Sequence, residues 1–561
     1  MKLLLTAINA KYIHSNLAIY SLRAYAGALS SHIELAEFTI NHRTEDILRE
    51  IYLRKPDVLL FSCYIWNIVY VRELAENLKK LMPEVPVWLG GPEVSYDAEA
   101  FLRGNPPVDG ILCGEGEEVF RRLAECYVKG QADMGSLSRI PGLAFRDEEG
   151  VVHTNPPAPL MNLDSLPFPY ADLTDFAHRI IYYESSRGCP FSCSYCLSSV
   201  EKRVRFRNTE TVCRELQFFL DRNVPQVKFV DRTFNSRKDH AMTIWRYLLD
   251  HDNGLTNFHF EIEAELLDEE ELELLGKLRP GLVQIEIGVQ SANQKTLQAV
   301  RRRTDLEKLR GITERIWKGR NIHQHLDLIA GLPFEDYESF GRSFNVVFSM
   351  KPEQLQLGFL KVLKGSPMHR DARGYGIVWN SRPPYEVLFT PWLSFGDILR
   401  LKMIEEMVEI YYNSHQFGRT MERLIPCFSS PFEFFEELAD DYQARQGDRK
   451  ASRQQRFELL LDFIRKKLPK EENRYRELLT VDYYLRERAK ARPAFAPDQK
   501  PYQEKLGRIR RSVPKQAHVE ALITAEGASD GNPAYLVFDY ETRDPLTGDA
   551  YLWRWTEEEQ R

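Results

Sequence analysis

Hydrophobic and polar positions along the 561-residue chain fall into four stretches of different rhythm. In residues 2–130, apolar runs ("KLLLTAIN", "IELAEFTI", "DVLLFSCYIW", "VPVWLGG", "DGILCGEG") alternate with amphipathic helical patterns. One such pattern runs from Ser15 to Leu29 and another starts near Glu117. Short apolar strands separated by helices predict a doubly wound parallel sheet. Sheets of this kind bind ligands beyond the carboxyl ends of their strands. Here those ends carry "NAKYIHSN", "SCYIWN", "GGPEVS" and "GEGEE". Residues 131–178 read as a proline-punctuated linker with one hairpin, "LAFRDEEGVVHT", and an extended tether, "LDSLPFPY". Residues 179–370 alternate again, with strands expected in "RIIYYESS", "QVKFVDRTF", "FHFEIEAEL", "LVQIEIGVQ", "IHQHLDLIAG" and "QLQLGFLKVL". One intervening helix opens with a capping-box pair, Asp268 and Glu271. Six strand–helix units predict a partial parallel barrel. Residues 371–561 read as mostly helical, with a terminal hairpin turning near Asp544 to Gly548.

Within the barrel strands the polar residues share one face. Glu261, Glu263 and Glu265 alternate with Phe260, Ile262 and Ala264, and Gln284, Glu286, Gly288 and Gln290 alternate with Val283, Ile285, Ile287 and Val289. An antiparallel sheet with one wet face gives the same pattern. Because helices separate these strands, the outer face is covered and the polar stripe points into a lumen. Buried, unpaired carboxylates cost several kcal/mol each. A lumen lined this way is expected to hold water or a polar, cationic ligand.

Composition narrows the class. Hydrophobic content of 43% and charged content of 28% are globular values. A net charge of −7 argues against a chain built to coat nucleic acid. The opening "MKLLLTAINAKY" is too short an apolar run for a secretory signal, and Val58 to Val71 is too short for a membrane span. The expected setting is cytoplasmic and reducing, where clustered cysteines indicate metal or redox chemistry.

Three of the eight cysteines, Cys189, Cys193 and Cys196, fall within eight residues of "ESSRGCPFSCSYCLSS". Three thiolates at this spacing can hold three irons of a 4Fe–4S cluster and leave the fourth iron open to a reactant. The alternatives are a zinc site, for which no second CxxC pair exists, and structural cysteines, the expected role of Cys63, Cys113, Cys126, Cys213 and Cys427.

"RGCPFSCSYC" resembles the CxxxCxxC signature of the radical S-adenosylmethionine (SAM) superfamily, including the aromatic Tyr195 before the third cysteine. The six strand–helix units resemble that superfamily's partial barrel. The resemblance implies that Cys189, Cys193 and Cys196 hold a 4Fe–4S cluster, that SAM binds its open iron, and that reduction yields a 5′-deoxyadenosyl radical. "EIGVQS" resembles a fourth-strand segment beside SAM, which points to Glu286, Gln290 and Ser291, and "AVRRRT" points to Arg303 for the SAM carboxylate. "IAGLPFED" resembles a "GLPGET" element and points to Gly331, with Phe334 where glycine is usual. "FVDRTFN" resembles an "F-x-D-D-x-F" element, from which only Asp231 carries over because Arg232 replaces the second acid. "FLKVLKGSPM" resembles the sixth-strand end near adenine. A doubly wound, flavodoxin-like domain before such a barrel resembles the cobalamin-binding subclass, and "GGPEVS" is similar to its "GGPHVT"-type turn. Asn9, Ser62, Gly90, Gly91, Pro92, Glu93, Gly114 and Glu115 are the implied corrin contacts. The DxHxxG signature that supplies a histidine to cobalt is absent. His14 is the only imidazole in the corresponding loop and reads as a surface or cap residue, so the resemblance implies cobalamin held without a protein histidine.

The expected organisation is thus a cobalamin-binding-like domain over 1–130, a linker over 131–178, a radical SAM partial barrel over 179–370 and a C-terminal region over 371–561. The expected activity is methyl transfer to an unactivated carbon. The methyl comes from SAM by way of cobalt, the substrate is a small molecule, and an external flavodoxin- or ferredoxin-type donor supplies electrons. No catalytic residue is assigned. The rivals are a non-methylating radical rearrangement, a tRNA-modifying enzyme using the basic run "KPYQEKLGRIRRSVPK", and a non-enzymatic iron–sulfur or zinc module.

Overall fold

A computed structural model describes residues 1–447, 449–523 and 533–556. Contacts divide the chain into two compact units. The first comprises residues 1–286, 298–303 and 359–391; the second comprises 287–297, 304–358 and 392–561.

In the first unit, β1 (Leu3–Asn9), β2 (Ile33–Thr39), β3 (Val58–Ser62), β4 (Val87–Gly90) and β5 (Gly110–Leu112) form a parallel sheet in the order β2-β1-β3-β4-β5. This is the flavodoxin-like order, in which the direction of strand addition switches between β1 and β3. Every residue of β1 is buried, as a central strand covered by helices on both faces requires. Its side chains Leu4 and Ile8 pack with Phe61, Leu89, Ile47, Val71 and Leu74. Each such side chain contributes about 1.5–3 kcal/mol on burial.

The stretch expected as linker does more than connect. Its hairpin forms β6 (Leu143–Arg146) and β7 (Val152–Thr154), which extend the first sheet antiparallel to β5. Its tether is pinned by Tyr170, which is buried against Tyr20, Phe176 and Phe219 and donates its hydroxyl to the Tyr182 carbonyl. An aromatic ring in a proline-rich segment was the available signal for that anchor.

Next come β8 (Ile181–Tyr183), the two-stranded antiparallel pair β9 (Ser186–Arg187) and β10 (Arg205–Phe206), then β11 (Gln226–Phe229) and β12 (Asn257–Ile262). Strands β8, β11 and β12 pair in parallel in that order. The series continues through β13 (Val283–Gln290), β14 (His323–Ala330) and β15 (Gln354–Phe359). With the helices between them, these strands make the partial barrel of an α/β fold. Along β13, Val283, Ile285, Ile287 and Val289 are fully buried while Gln284, Glu286 and Gly288 are half-buried, so the two faces are as different as the alternation predicts. The Asp268 carboxylate accepts from the Glu271 N–H at 3.1 Å and Glu271 reciprocates at 3.0 Å, completing the capping box. Glu271→Ala is expected to cost about 1 kcal/mol of stability, read as a lowered denaturant midpoint with an unchanged slope.

After β15 the chain forms a strap over residues 361–391 that carries β16 (Val378–Trp379) and β17 (Val387–Phe389) and belongs to the first unit.

The second unit's C-terminal part is built of helices Phe395–Val408, Gly418–Leu424, Pro431–Gln446, Arg453–Lys467, Glu472–Arg486 and Gln503–Ser512. The terminal hairpin is present as β19 (Ala534–Arg543) and β20 (Ala550–Arg554), and β18 (His518–Leu522) makes it a three-stranded sheet. Asp482 caps the helix Gly418–Leu424 from another helix, accepting from the N–H groups of Arg419 and Thr420 at 2.9 Å. Among the described residues no helix is long and apolar enough to cross a membrane.

Candidate active site

The three clustered cysteines lie on the loop that joins β9 to β10. Gly188 enters it at φ +103°, and a Cβ there would sit 2.6 Å from the Arg203 carbonyl oxygen. The glycine of "RGC" is therefore needed because the two ends of the loop pass too closely for any side chain. The loop is then held by backbone bonds at both sides: Ser194 N–H to the Val300 carbonyl at 2.9 Å, and Met368 N–H to the Ser194 carbonyl at 2.7 Å. Cys189 and Cys193 are buried and Cys196 is half-buried. Burial pushes the Cys189 thiol up, and the neighbouring Cys196 and Cys193 push it further.

Two side chains attend the sulfurs. Thr233 Oγ1 lies 3.5 Å from Cys189 Sγ. Arg302 points Nη1 at Cys193 Sγ at 3.8 Å and donates Nη2 to Glu263 at 2.8 Å. Burial works against the Arg302 charge, but Glu263, Tyr195 and Cys193 beside it win and hold it above the usual arginine range. Its neighbour Arg303, the candidate from the "AVRRRT" segment, is exposed. A guanidinium next to a thiolate stabilises the anion that metal binding needs. Among the described residues no group of three or more His, Cys, Asp or Glu is placed to hold a metal ion.

Beside the loop is a cavity of about 1680 Å³, larger than the roughly 300–1,000 Å³ typical of small-ligand sites. Its wall on one side is the carboxyl ends of the first sheet: Asn9, Gly91, Pro92, Gly114 and Glu115 all line it. Gly114 has φ +79°, and a Cβ added there would meet nothing within 4 Å, so its conformation demands glycine and its open side faces the cavity. Tyr64 and Trp66 of "SCYIWN" stack at 4.4 Å with an interplanar angle of 4° and present a flat aromatic surface there. Ser62, Gly90 and Glu93 are not part of the wall. Ser62 accepts from Asn16 at 3.2 Å, and Glu93 turns into the protein towards Tyr385 and Lys364. His14 does line the cavity, but the Tyr182 hydroxyl engages its Nδ1 at 2.7 Å. Burial, then Lys11 and Lys228, lowers its pKa.

The opposite wall belongs to the barrel, with Tyr182, Glu184, Lys228, Arg232 and Glu261 among its residues. Lys228 donates to Glu286 at 3.1 Å, and His259 meets the same carboxylate oxygen at 3.1 Å. Arg232 replaces an acid of the resembling element and reaches Glu261 at 3.7 Å from a side chain that is 56% exposed to the cavity. Sequence reasoning missed Lys228, His259 and Arg302. Lys228 and His259 lie at the polar parity of their strands, so alternation could have found them; Arg302 needed the fold to show which of three consecutive arginines turns inward.

The two walls are joined by an ion cluster. Arg187, directly before the cysteine loop, pairs with Glu117 and Glu184 at 2.7 Å, and Arg205 pairs with Glu115. Asp231 is fully buried and accepts from Ser185 N–H and from the Ser185 and Ser186 hydroxyls at 2.6–2.9 Å. Burial nevertheless pushes its carboxyl up to about 7. It supports the strand leading to the loop and is not in the cavity wall.

In the second unit, Ser291 donates to Glu335 at 2.7 Å, and Ser343 donates to the same oxygen. Gln290 adopts φ +72° with its amide folded over Gly288, where a Cβ would meet Nε2 at 2.1 Å. Gly331 has φ +90° and Phe334 φ +66°. The phenylalanine thus takes the left-handed conformation that glycine would favour, with its ring on Trp392 and under Lys295.

A family model described as the B12 binding domain matches residues 3–124, one described as the Radical SAM superfamily matches residues 183–347, and one described as a protein of unknown function (DUF4080) matches residues 373–532. The 2-(S-pantetheinyl)-carbapenam-3-carboxylate methyltransferase of Streptantibioticus cattleyicolor is 27% identical over 57% of this chain and 50% of its own length. The cobalamin-dependent radical SAM methyltransferase TokK of Streptomyces tokunonensis is 28% identical over 56% of this chain and 48% of its own. This chain therefore spans about half the length of the curated relatives it matches. Among solved structures, the cobalamin-dependent S-adenosylmethionine radical enzyme OxsB, with aqua-cobalamin and S-adenosylmethionine bound, shares the fold. Its TM-score is 0.55 at 15% identity, covering 91% of this chain and 80% of that one. The chain thus carries, in order, a stretch matching the B12 binding domain model and a stretch matching the Radical SAM superfamily model.

Proposed function

We propose that the chain is a cobalamin-dependent radical SAM methyltransferase acting on a small molecule, with electrons from an external low-potential donor. The observation that carries this reading is the cavity lined both by the first sheet's carboxyl ends and by the barrel strands, beside the cysteine loop. When bound, the cluster would supply an electron to cleave SAM, and cobalamin would carry the methyl group.

The residues present suit that chemistry. Cys189, Cys193 and Cys196 are the proposed cluster ligands, and Arg302 offsets the thiolate charge at Cys193. Gly91, Pro92, Gly114 and the Tyr64–Trp66 stack offer a flat, side-chain-poor bed for the corrin. The His14 ring is tied to the Tyr182 hydroxyl through Nδ1. Lys228, Glu286 and His259 form a charged cluster on the barrel side. In the first unit, Glu286 and Tyr195 remain proposed surroundings of SAM. Of the arginines, Arg302 has the buried position that a carboxylate partner would need.

The test is to incubate the anaerobically loaded protein with SAM and a strong reductant. Formation of both 5′-deoxyadenosine and S-adenosylhomocysteine is expected, because radical chemistry consumes one SAM and methyl donation another. Deoxyadenosine without the homocysteine product would indicate a non-methylating radical enzyme. The absence of both products would contradict the enzyme reading.

A further inference from the structure

Glu93 presents a question that the cavity does not answer. It follows Gly91 and Pro92, which line the cavity, yet it is only 5% exposed and faces away from it. A buried carboxylate needs partners, and both of its partners come from the strap after β15. Tyr385 donates its hydroxyl to Oε1, and Lys364 places Nζ 3.6 Å from the same oxygen. Burial raises the Glu93 carboxyl, and these two groups oppose that rise.

The same strap touches the sheet-side turn a second time. Gly365 has φ +82°, and a Cβ there would lie 2.2 Å from the Tyr96 ring, so the ring rests against the glycine backbone. Tyr96 in turn lines the cavity and lies within electrostatic reach of Cys196. A few residues further on, Met368 donates its N–H to the carbonyl of Ser194, between the second and third cysteines, at 2.7 Å. The strap therefore grips the corrin-side turn at Glu93 and Tyr96 and the cysteine loop at Ser194. In the resembling turn the Glu93 position is a histidine. Here it is an acid, and the strap supplies the phenol and ammonium that an acid requires.

We propose that Tyr385 and Lys364 are positioning residues that couple occupancy of the corrin cavity to the geometry of the cysteine loop through Glu93 and the strap. The inference rests on the functional reading above. Seating a corrin against Gly91 and Pro92 fixes the turn, the turn fixes Glu93, and the strap transmits that order to Ser194.

The test compares the parent chain with Tyr385→Phe, which keeps the ring, and Glu93→Gln, which keeps the volume. Each is reconstituted anaerobically and titrated with hydroxocobalamin by its visible spectrum, and the reduced cluster is recorded by electron paramagnetic resonance with and without the corrin. In the parent, the cluster signal is expected to change on cobalamin binding. In Tyr385→Phe, cobalamin affinity is expected to fall about tenfold, and the cluster signal at saturating cobalamin is expected to lose that response while the cluster itself still assembles. A purely structural role would lower thermal stability without removing the response. Parent-like affinity and an intact response in Tyr385→Phe and Glu93→Gln would overturn the proposal. If the parent binds neither corrin nor cluster, the functional reading fails instead, and if Tyr385→Phe does not fold, Glu93→Gln alone decides.

Discussion

Replacing Cys193 with alanine is expected to strip the protein of most of its iron and acid-labile sulfide and to lower 5′-deoxyadenosine formation by at least about a thousandfold, which corresponds to about 4 kcal/mol of barrier. The reason is stoichiometric: with three protein ligands for a four-iron cluster, the loss of one leaves two irons without a protein anchor. The loss is also electrostatic. Arg302 and Glu263 are arranged around the Cys193 sulfur, and without the thiolate Arg302 keeps only part of its compensation. Cys427 is the matching control. It is an exposed cysteine of the second unit, bonded to Tyr475 at 3.5 Å and to the Arg423 carbonyl. Cys427→Ala is expected to leave iron, sulfide and deoxyadenosine at parent levels. Colorimetric iron and sulfide assays beside product chromatography check both variants.

The second large effect is expected at Gly91. Its φ of +113° disfavours any side chain, and a Cβ would stand 2.5 Å from the Cys63 carbonyl oxygen and 3.1 Å from the Cys63 nitrogen. Those backbone atoms are not idle. Cys63 N–H donates to the Gly90 carbonyl at 2.7 Å, and the Cys63 carbonyl accepts from Glu93 N–H at 3.4 Å, so the ends of β3 and β4 are stitched at this point. Gly91→Ala must force the two loops apart, losing roughly 1–3 kcal/mol of stability and disordering both the Tyr64–Trp66 surface and the turn below the corrin. Cobalamin affinity is expected to fall by about a hundredfold or more. Gly114→Ala makes the useful comparison, since its Cβ meets nothing within 4 Å. There only the backbone conformation is penalised, by about 1–2 kcal/mol, and a far smaller loss of cobalamin binding is expected. Equal losses in the two variants would show that the Cys63 contact is unimportant.

Much of this molecule was legible in its amino-acid order, for reasons that can be named. β1 is buried along its whole length because helices cover both faces of the first sheet, and β13 alternates fully buried apolar residues with half-buried polar ones. Period and burial therefore disclosed both architectures. The cysteine loop was legible because its pattern is local: three cysteines and a glycine lie close together in sequence on the one loop between β9 and β10. What stayed hidden depends on long-range placement. Arg302 and Arg303 are neighbours in "RRRT", and only the path of the chain decides which one faces Cys193. Glu93 looked like a ligand residue from its motif, but partners nearly three hundred positions later, at Tyr385 and Lys364, draw it away from the cavity. The third strand of the C-terminal sheet was hidden for a different reason. "HVEAL" is a short strand with an acidic residue, Glu520, at a buried position where Arg492 pairs with it and His518 lies 2.7 Å away, and no local pattern reveals that compensation.

The account stands on a cluster and a corrin sharing one cavity, and the most direct test is the ultraviolet–visible spectrum of anaerobically purified protein supplied with iron, sulfide and cobalamin. Broad iron–sulfur absorbance together with corrin bands that survive gel filtration is the predicted result. Zinc as the bound metal, or corrin bands that wash away completely while the chain remains folded, would contradict it.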